Sequence, residues 1–302
     1  MKVVAIVVTY NGIHWIDKSI GSLLESTIPV DVLVVDNCST DGTLEKLETT
    51  YPQVKIIKNT SNLGFGQANN IGLKKALDVQ GDYIFLVNQD AQMEPNTLKV
   101  LTEQAEQNPD YGLLAPIQLN GDGTALDQEF ASHLMQGKYP LFYSDLYTKR
   151  NKLKGIYQVE FIPAAAWLLP INTIKTIGGF DPMFRHYGED DNYLQRLKYH
   201  GIKIGICSEC RVFHDKVFET DEQISKRLQS LVNFEKELKV RYGDVNHKRN
   251  LAKYGTNIFL QSLRYLFSLK WNSFANNMKR QQIICSSYFK IKRSCNINKQ
   301  IG

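Results

Sequence analysis

Three short apolar runs, each stopping at a polar cluster, set the tightest limit on what this chain can fold into. Residues 3–8 end at Thr9, Tyr10 and Asn11, residues 30–35 at Asp36 and Asn37, and residues 83–87 at Asn88, Gln89 and Asp90. Runs that are apolar on both faces belong in the middle of a parallel sheet covered on both sides. Between them lie helical patterns: residues 14–24 carry Trp15, Ile16, Ile20, Leu23 and Leu24 at helical spacing, and 67–77 repeats the theme. Ser39, Thr40, Asp41 and Gly42 supply start chemistry for a helix over 43–50, and 54–57 reads as a further strand. Strands alternating with helices predict an α/β fold with a doubly wound, mostly parallel sheet and helices on both faces.

Beyond Pro95 the pattern predicts a helix to residue 107 and a strand over 111–119, then an irregular polar and aromatic stretch, 120–155, suited to a loop over a site. Residues 158–169, 202–207 and 211–214 read as extended, 171–177 and 190–200 as helices, and 222–242 as one long helix with Ile224, Leu228, Leu231 and Leu238 on a face. The expected division is a catalytic domain over 1–220 and a helical, basic extension over 221–302.

Charge separates along the same line. The chain of 302 residues has a net charge of +5, yet residues 241–302 hold twelve Lys or Arg against Asp244 alone. The body is therefore mildly acidic and the tail basic, which disfavours a nucleic-acid binder. Five irregularly spaced cysteines fit a reducing compartment, so cytoplasm is expected. No signal-peptide core and no run of about 20 apolar residues is seen, so membrane contact is expected to be peripheral. Phe259, Leu260, Leu263, Leu266, Phe267, Trp271 and Phe274, interleaved with Arg264, Lys270, Lys279 and Arg280, give 255–293 the composition of an interfacial helix on an anionic membrane surface. A helix packed on the body with a solvated basic face is the equal alternative.

Ligands of open parallel sheets bind beyond the carboxyl ends of the strands, where the polar clusters fall. There the chain resembles a known family. The segments VVTYN at 7–11, VVDNCSTD at 34–41, NLGFGQANN at 62–70, NQD at 88–90, GGFD at 178–181 and GEDD at 188–191 resemble, in order, the motifs of family 2 glycosyltransferases. The resemblance extends over about residues 1–215 and is nearest to the rhamnosyltransferase-like branch that builds bacterial surface polysaccharides. It implies a GT-A fold and inverting transfer of a hexose or deoxyhexose from a UDP- or dTDP-sugar to a glycan or lipid-linked acceptor.

The same resemblance implies the roles. Thr9, Tyr10, Asn11 and Asp36 would hold the nucleoside, a carboxylate suiting the imide N–H of uracil or thymine. Asn62, Gly64, Asn69 and Asn88 would complete the nucleotide site, Gly64 by letting the chain pass close to the diphosphate. Asp90 and His214 would ligate Mg2+ or Mn2+, hard ions that take oxygen and imidazole donors. Asp190 would be the base that accepts the acceptor hydroxyl's proton, with Glu189 orienting the acceptor. Asp41 reads equally as a ribose neighbour or a helix cap, and Arg185 and His186 as phosphate or acceptor contacts or, more often, as solvated side chains. Asn88, where the family often has Asp, keeps open a non-catalytic nucleotide- or glycan-binding protein on the same fold. Two rivals are weaker. Cys207 and Cys210 with His200 or His214 could hold zinc but lack a second knuckle, and the glycines at 64, 66 and 72 do not follow the first strand as a dinucleotide fingerprint must.

Overall fold

The computed structural model describes residues 1–136, 139–148, 153–185, 187–216 and 220–300, except for the side chain of residue 221; His186 thus lies outside the described residues. In chain order the elements are β1 (Val3–Thr9), α1 (Ile16–Leu24), β2 (Val30–Asp36), α2 (Thr43–Thr50), β3 (Lys55–Lys58), α3 (Phe65–Asp78), β4 (Tyr83–Asn88) and β5 (Ala91–Met93). Next come α4 (Thr97–Gln107), β6 (Tyr111–Asn120), α5 (Gln128–Met135), α6 (Pro140–Thr148), β7 (Ile156–Val159), β8 (Ala166–Pro170), α7 (Ile171–Ile177) and α8 (Glu189–Tyr199). The last are β9 (Lys203–His214), α9 (Asp221–Gln229), α10 (Leu231–Gly243), α11 (Leu251–Phe267) and α12 (Trp271–Asn298).

The strands form one sheet in the order β3-β2-β1-β4-β8-β6-β9-β5, with β7 also paired to β9. The first four are parallel. β8 then runs antiparallel to both β4 and β6, β9 returns parallel to β6, and β5 and β7 lie antiparallel on β9. Alternation along β1 explains the two covered faces. Val4 and Ile6 feed one core with Leu33, Leu86, Trp167 and Tyr193, while Val3, Ala5 and Val7 feed the other with Ile16, Ile20, Phe85 and Leu98. Register sets the polar ends side by side, pairing Thr9 with Asp36 and Val8 with Asn88.

Four expectations change. The helix over 222–242 breaks at Ser230, which is extended (φ −68°, ψ 152°) and accepts the N–H of Asn233 at 3.0 Å, so local capping overrides periodicity. The two segments 202–207 and 211–214 are one strand with a bulge: Pro116 faces Cys207 and Ile117 already faces Arg211. Pro116 has no N–H to give the ladder, a usual place for such a break. Residues 158–169 divide into β7 and β8. Inside the stretch read as irregular lie α5 and α6, anchored by buried Phe130, Leu134 and Phe142.

A third, smaller core of Leu238, Leu251, Ile258, Ile284 and Ile291 joins α10, α11 and α12. It is pinned to the sheet layer by Asp181, whose Oδ2 accepts from Ser294 Oγ (2.5 Å) and Asn298 Nδ2 (2.8 Å) of α12. Among the described residues no helix is long and apolar enough to cross a membrane.

The glycine at 72 is the tightest joint between α3 and the sheet. A Cβ there would lie 2.5 Å from Ile6 Cγ2, inside a packed core that cannot give way freely. Gly72→Ala should therefore lower unfolding stability by about 1–3 kcal/mol in chemical denaturation, the cost of overpacking; a variant as stable as the parent would mean that α3 does not pack against β1 in this way.

Candidate active site

The carboxyl ends of β1, β2 and β4 form one polar edge. Thr9 Oγ1 donates to Asp36 Oδ1 at 3.0 Å, and Ser39 supplies Asp36 with its hydroxyl (2.5 Å) and its backbone N–H (3.0 Å). Asp36 is only 2% exposed, so both oxygens are already engaged from within. The exposed member of this edge is Tyr10, at 46%, whose backbone is clipped by Gln89: its N–H donates to Oε1 (2.8 Å) and its carbonyl accepts from Nε2 (3.2 Å). Asn11, at a positive φ of 48°, accepts the N–H of Thr40 at 2.8 Å. Asp41 accepts the N–H groups of Ile13 (3.1 Å) and Thr43 (3.0 Å), so it stitches the first loop to the start of α2.

The loop entering α3 is built around Asn37. Its amide donates to Asn62 Oδ1 (2.9 Å), and its own Oδ1 accepts from Asn59 Nδ2 (3.1 Å) and Leu63 N (2.9 Å). Asn62 also takes the N–H of Gly64 at 2.9 Å, so it shapes the loop. Gly64 sits at φ +82° where a Cβ would meet the Arg185 carbonyl at 2.1 Å, which brings this loop against the segment leading to α8. Asn69 is buried and donates to Phe65 O at 3.0 Å. Asn70 does more: it donates to Phe180 O (2.8 Å) and accepts Phe180 N–H (2.7 Å), binding α3 to the Gly178–Asp181 turn. Buried Arg196 of α8 holds the same turn through the carbonyls of Ile177 (3.0 Å) and Gly179 (2.5 Å).

A charged cluster occupies the centre. His214, at the end of β9, lies 3.3 Å from Asp90 Oδ1 through Nε2 and 3.1 Å from Asp127 Oδ2 through Nδ1. Burial pushes the imidazole toward its neutral form, but the hydrogen bonds it donates to Asp127 and Asp90 and the charges of those carboxylates outweigh it, raising His214 to about 9. Burial would also raise Asp90 and Asp127, and the bond to His214 in each case turns the balance so that both stay below the usual carboxylate range. Asn88 Nδ2 approaches His214 Nε2 at 3.5 Å, while its Oδ1 is buried without a partner. Lys216, held to Glu129 at 3.3 Å, adds a cation to the rim.

Asp190 opens α8. Burial first, then the charge of Glu129 on α5, raises its carboxyl above the ordinary value. Neighbouring Glu189, 7% exposed and with Oε2 unpartnered, is raised to about 7 by burial and then by Asp190. Carboxyls raised toward neutrality in a cleft are suited to taking or giving a proton. Asp127 and Glu129 thus link the two halves of the cluster, and the sequence reading missed both. The Asp–x–x start of α5, with Asp127 accepting from Glu129 N and Phe130 N at 2.9 Å each, was the available signal.

Asp90, Asn88 and His214 converge as an open donor set. Among the described residues no group of three or more His, Cys, Asp or Glu side chains is arranged to hold a metal ion. The partnerless Asn88 oxygen beside the Asp90 carboxylate nevertheless fits a hard cation whose remaining ligands come from a phosphate-bearing substrate. His214 would have to give up its proton and its bond to Asp90 to join them. Cys207 and Cys210 are buried next to each other in the core rather than gathered with His200, which lies 3.1 Å from the carbonyl of Asn298.

Residues 4–178 match the model of glycosyl transferase family 2. The chain belongs to that family. This glycosyltransferase is 25% identical over 242 residues to the N-acetylglucosaminyl-diphospho-decaprenol L-rhamnosyltransferase of Mycobacterium tuberculosis, covering 74% of the chain and 79% of that protein. Its fold is similar to that of S. aureus TarS 1-349 in complex with UDP-GlcNAc, with a TM-score of 0.58 at 18% identity over 84% of this chain and 70% of that one. It is also similar to the mannosyltransferase PcManGT of Pyrobaculum calidifontis in complex with GDP-Man and Mn2+, with a TM-score of 0.56 at 17% identity over 95% and 75% of the two chains. The expected GT-A architecture with a helical C-terminal region is the one observed.

Glu189 gives the glycosyltransferase a pH-dependent stability. Its folded-state value of about 7 exceeds the unfolded 4.5, so its contribution is intact below 4.5 and is lost as pH rises through 7. The loss amounts to something on the order of 3 kcal/mol. Glu189→Gln should flatten this decline, measured as unfolding free energy from pH 4.5 to 8; parallel curves for parent and variant would remove the buried, ionising Glu189 from the account.

Proposed function

We propose that the chain is an inverting transferase that moves a hexose or deoxyhexose from a UDP- or dTDP-sugar to a glycan or lipid-linked acceptor of a bacterial surface polysaccharide. The observation that carries this reading is the juxtaposition of the Asp90–His214–Asp127 cluster with the raised carboxyl of Asp190 at the edge where Thr9, Asp36 and Asn88 end their strands. The relative in Mycobacterium tuberculosis, named for a rhamnosyl transfer to a diphospho-decaprenol carrier, favours the same donor and acceptor classes.

In this proposal Tyr10 and Asn11 border the nucleoside, with Thr9 and Asp36 forming the floor beneath it, and Asn62, Gly64 and Asn69 shape the wall. A Mg2+ or Mn2+ ion held through Asp90, with Asn88 and His214 beside it, would neutralise charge developing on the departing diphosphate. Asp190 takes the proton of the acceptor hydroxyl as that oxygen's electron pair attacks the anomeric carbon. The bond from that carbon to the diphosphate oxygen breaks with its electrons, and the nucleoside diphosphate leaves from the opposite face. Glu189, protonated for part of the neutral range, orients the acceptor. Residues 1–220 form the catalytic unit and 221–302 the helical extension in this reading.

The extension is proposed to rest on the cytoplasmic face of an anionic membrane through 255–293. Support comes from exposed Phe259, Leu260, Phe267, Trp271 and Phe289 set among Lys and Arg, with no acid beyond Asp244.

Asp90→Ala and Asp190→Ala should each lower transfer by about 10²- to 10⁴-fold, the range of a lost proton-transfer or electrostatic partner. Only Asp90→Ala should weaken Mn2+-dependent binding of the nucleoside diphosphate, read by calorimetry. Undiminished turnover in either variant would remove the role given to that residue.

A further inference from the structure

The helical layer carries two grooves that meet. One, of about 440 Å³, runs between α11 and α12 and is apolar, lined by Gly255, Phe259, Ile284, Tyr288 and Phe289 among others. The second, of about 430 Å³, lies where the α10–α11 connection crosses α12; its lining mixes the basic side chains of Lys248, Arg249, Lys292 and Lys299 with apolar ones such as Leu251 and Ile291. Ala252 and Tyr288 line both, so the two grooves adjoin at these residues.

The apolar trough exists because of a glycine. At Gly255 a Cβ would stand 3.3 Å from Ile284 Cγ2, so its absence lets α11 approach α12 closely, with Phe259 (45% exposed) and Phe289 (78% exposed) left standing at the rim. Along α12, Gln281 to Phe289 spans about 12 Å at the helical rise, long enough for a hydrocarbon segment of roughly ten carbons.

The basic trough is short of counter-charge. Asp244 is its one acid, and it is occupied, accepting from Asn246 N (3.0 Å) and Asn246 Nδ2 (2.9 Å) and facing His247 at 3.8 Å. Among the described residues, Lys248, Arg249, Lys292 and Lys299 form no ion pair with a carboxylate; Arg249 donates to the carbonyl of Arg241 at 2.9 Å. Four cations against one engaged acid, beside an apolar trough, complement a molecule with a hydrocarbon tail ending in phosphate.

We propose that this double groove binds the phosphate and adjoining hydrocarbon of a single-chain lipid phosphate, the carrier end of the acceptor. The tail lies against Gly255, Ile284 and Phe289, and the phosphate meets Lys248, Arg249 and Lys292. The identity of this ligand rests on the transferase reading, but the site does not, because it is separate from the Asp90 and Asp190 cluster and can be measured without transfer.

The experiment uses the full chain with farnesyl diphosphate as the probe, followed by calorimetry at moderate salt. Saturable binding is expected, at least tenfold tighter than that of inorganic pyrophosphate. Lys248→Glu combined with Lys292→Glu, and separately Ala252→Trp at the junction, should each weaken it at least tenfold. Lys253→Glu combined with Lys279→Glu changes the net charge equally but lies off the groove, and should alter it less than twofold. Equal binding of pyrophosphate, equal loss in both charge variants, or no effect of Ala252→Trp overturns the site, as does capture by phosphatidylglycerol vesicles without farnesyl diphosphate binding, which would make the surface a general membrane face. Sugar transfer to a soluble acceptor, measured on the same variants, separates the two readings: it persists if only the groove assignment fails.

Discussion

The imidazole of His214, held charged between two carboxylates, is the contact on which the rest of the site depends. It draws together three segments that are distant in sequence: the β4–β5 turn through Asp90, the end of β9 itself, and the start of α5 through Asp127. Burying three ionisable groups is costly, and it is sustained only because each satisfies another. Removing either acid would leave a buried cation facing a single partner, whereas the trio as a unit is balanced.

A second electrostatic setting lies at the start of α8. Glu189 and Asp190 share a helix start and low solvent access, with Glu129 adding negative charge from α5. The carboxyls around His214 are thus held ionised while those of α8 are held toward protonation. Two groups of acids, linked through Glu129 on α5, are driven in opposite directions by whether a cation or another anion stands next to them.

Much of the fold was readable because its strands are buried on both faces and so appear as unbroken apolar runs, as in residues 3–8 and 83–87. The positions of Thr9, Asp36, Asn88 and Asp90 follow from that pattern directly. What escaped was decided by single residues against periodicity: Ser230 splitting a helix that Leu228 and Leu231 suggested was continuous, and Pro116 letting β9 bulge. The α5 helix escaped because its apolar face is only Phe130 and Leu134, too little to stand out in a polar stretch. With it went Asp127 and Glu129, whose importance appears only when β9 arrives from far along the chain. Asp36 was legible as the polar end of its strand, yet its enclosure by Thr9 and Ser39 depends on register, which the sequence does not spell out.

The link between Asn70 and Phe180 has a consequence for how this family member can vary. A Cβ on Gly179 would lie 2.2 Å from Asn70 Oδ1, so the glycine and the asparagine, more than a hundred residues apart, form one specification written in two places. The adjoining Asp181 carries it into α12 through Ser294 and Asn298. A lineage could therefore exchange its groove-bearing helices for others without touching the polar strand ends only if it rewrote that turn as well, which makes the turn the seam along which the sheet layer and the helical layer must be inherited together.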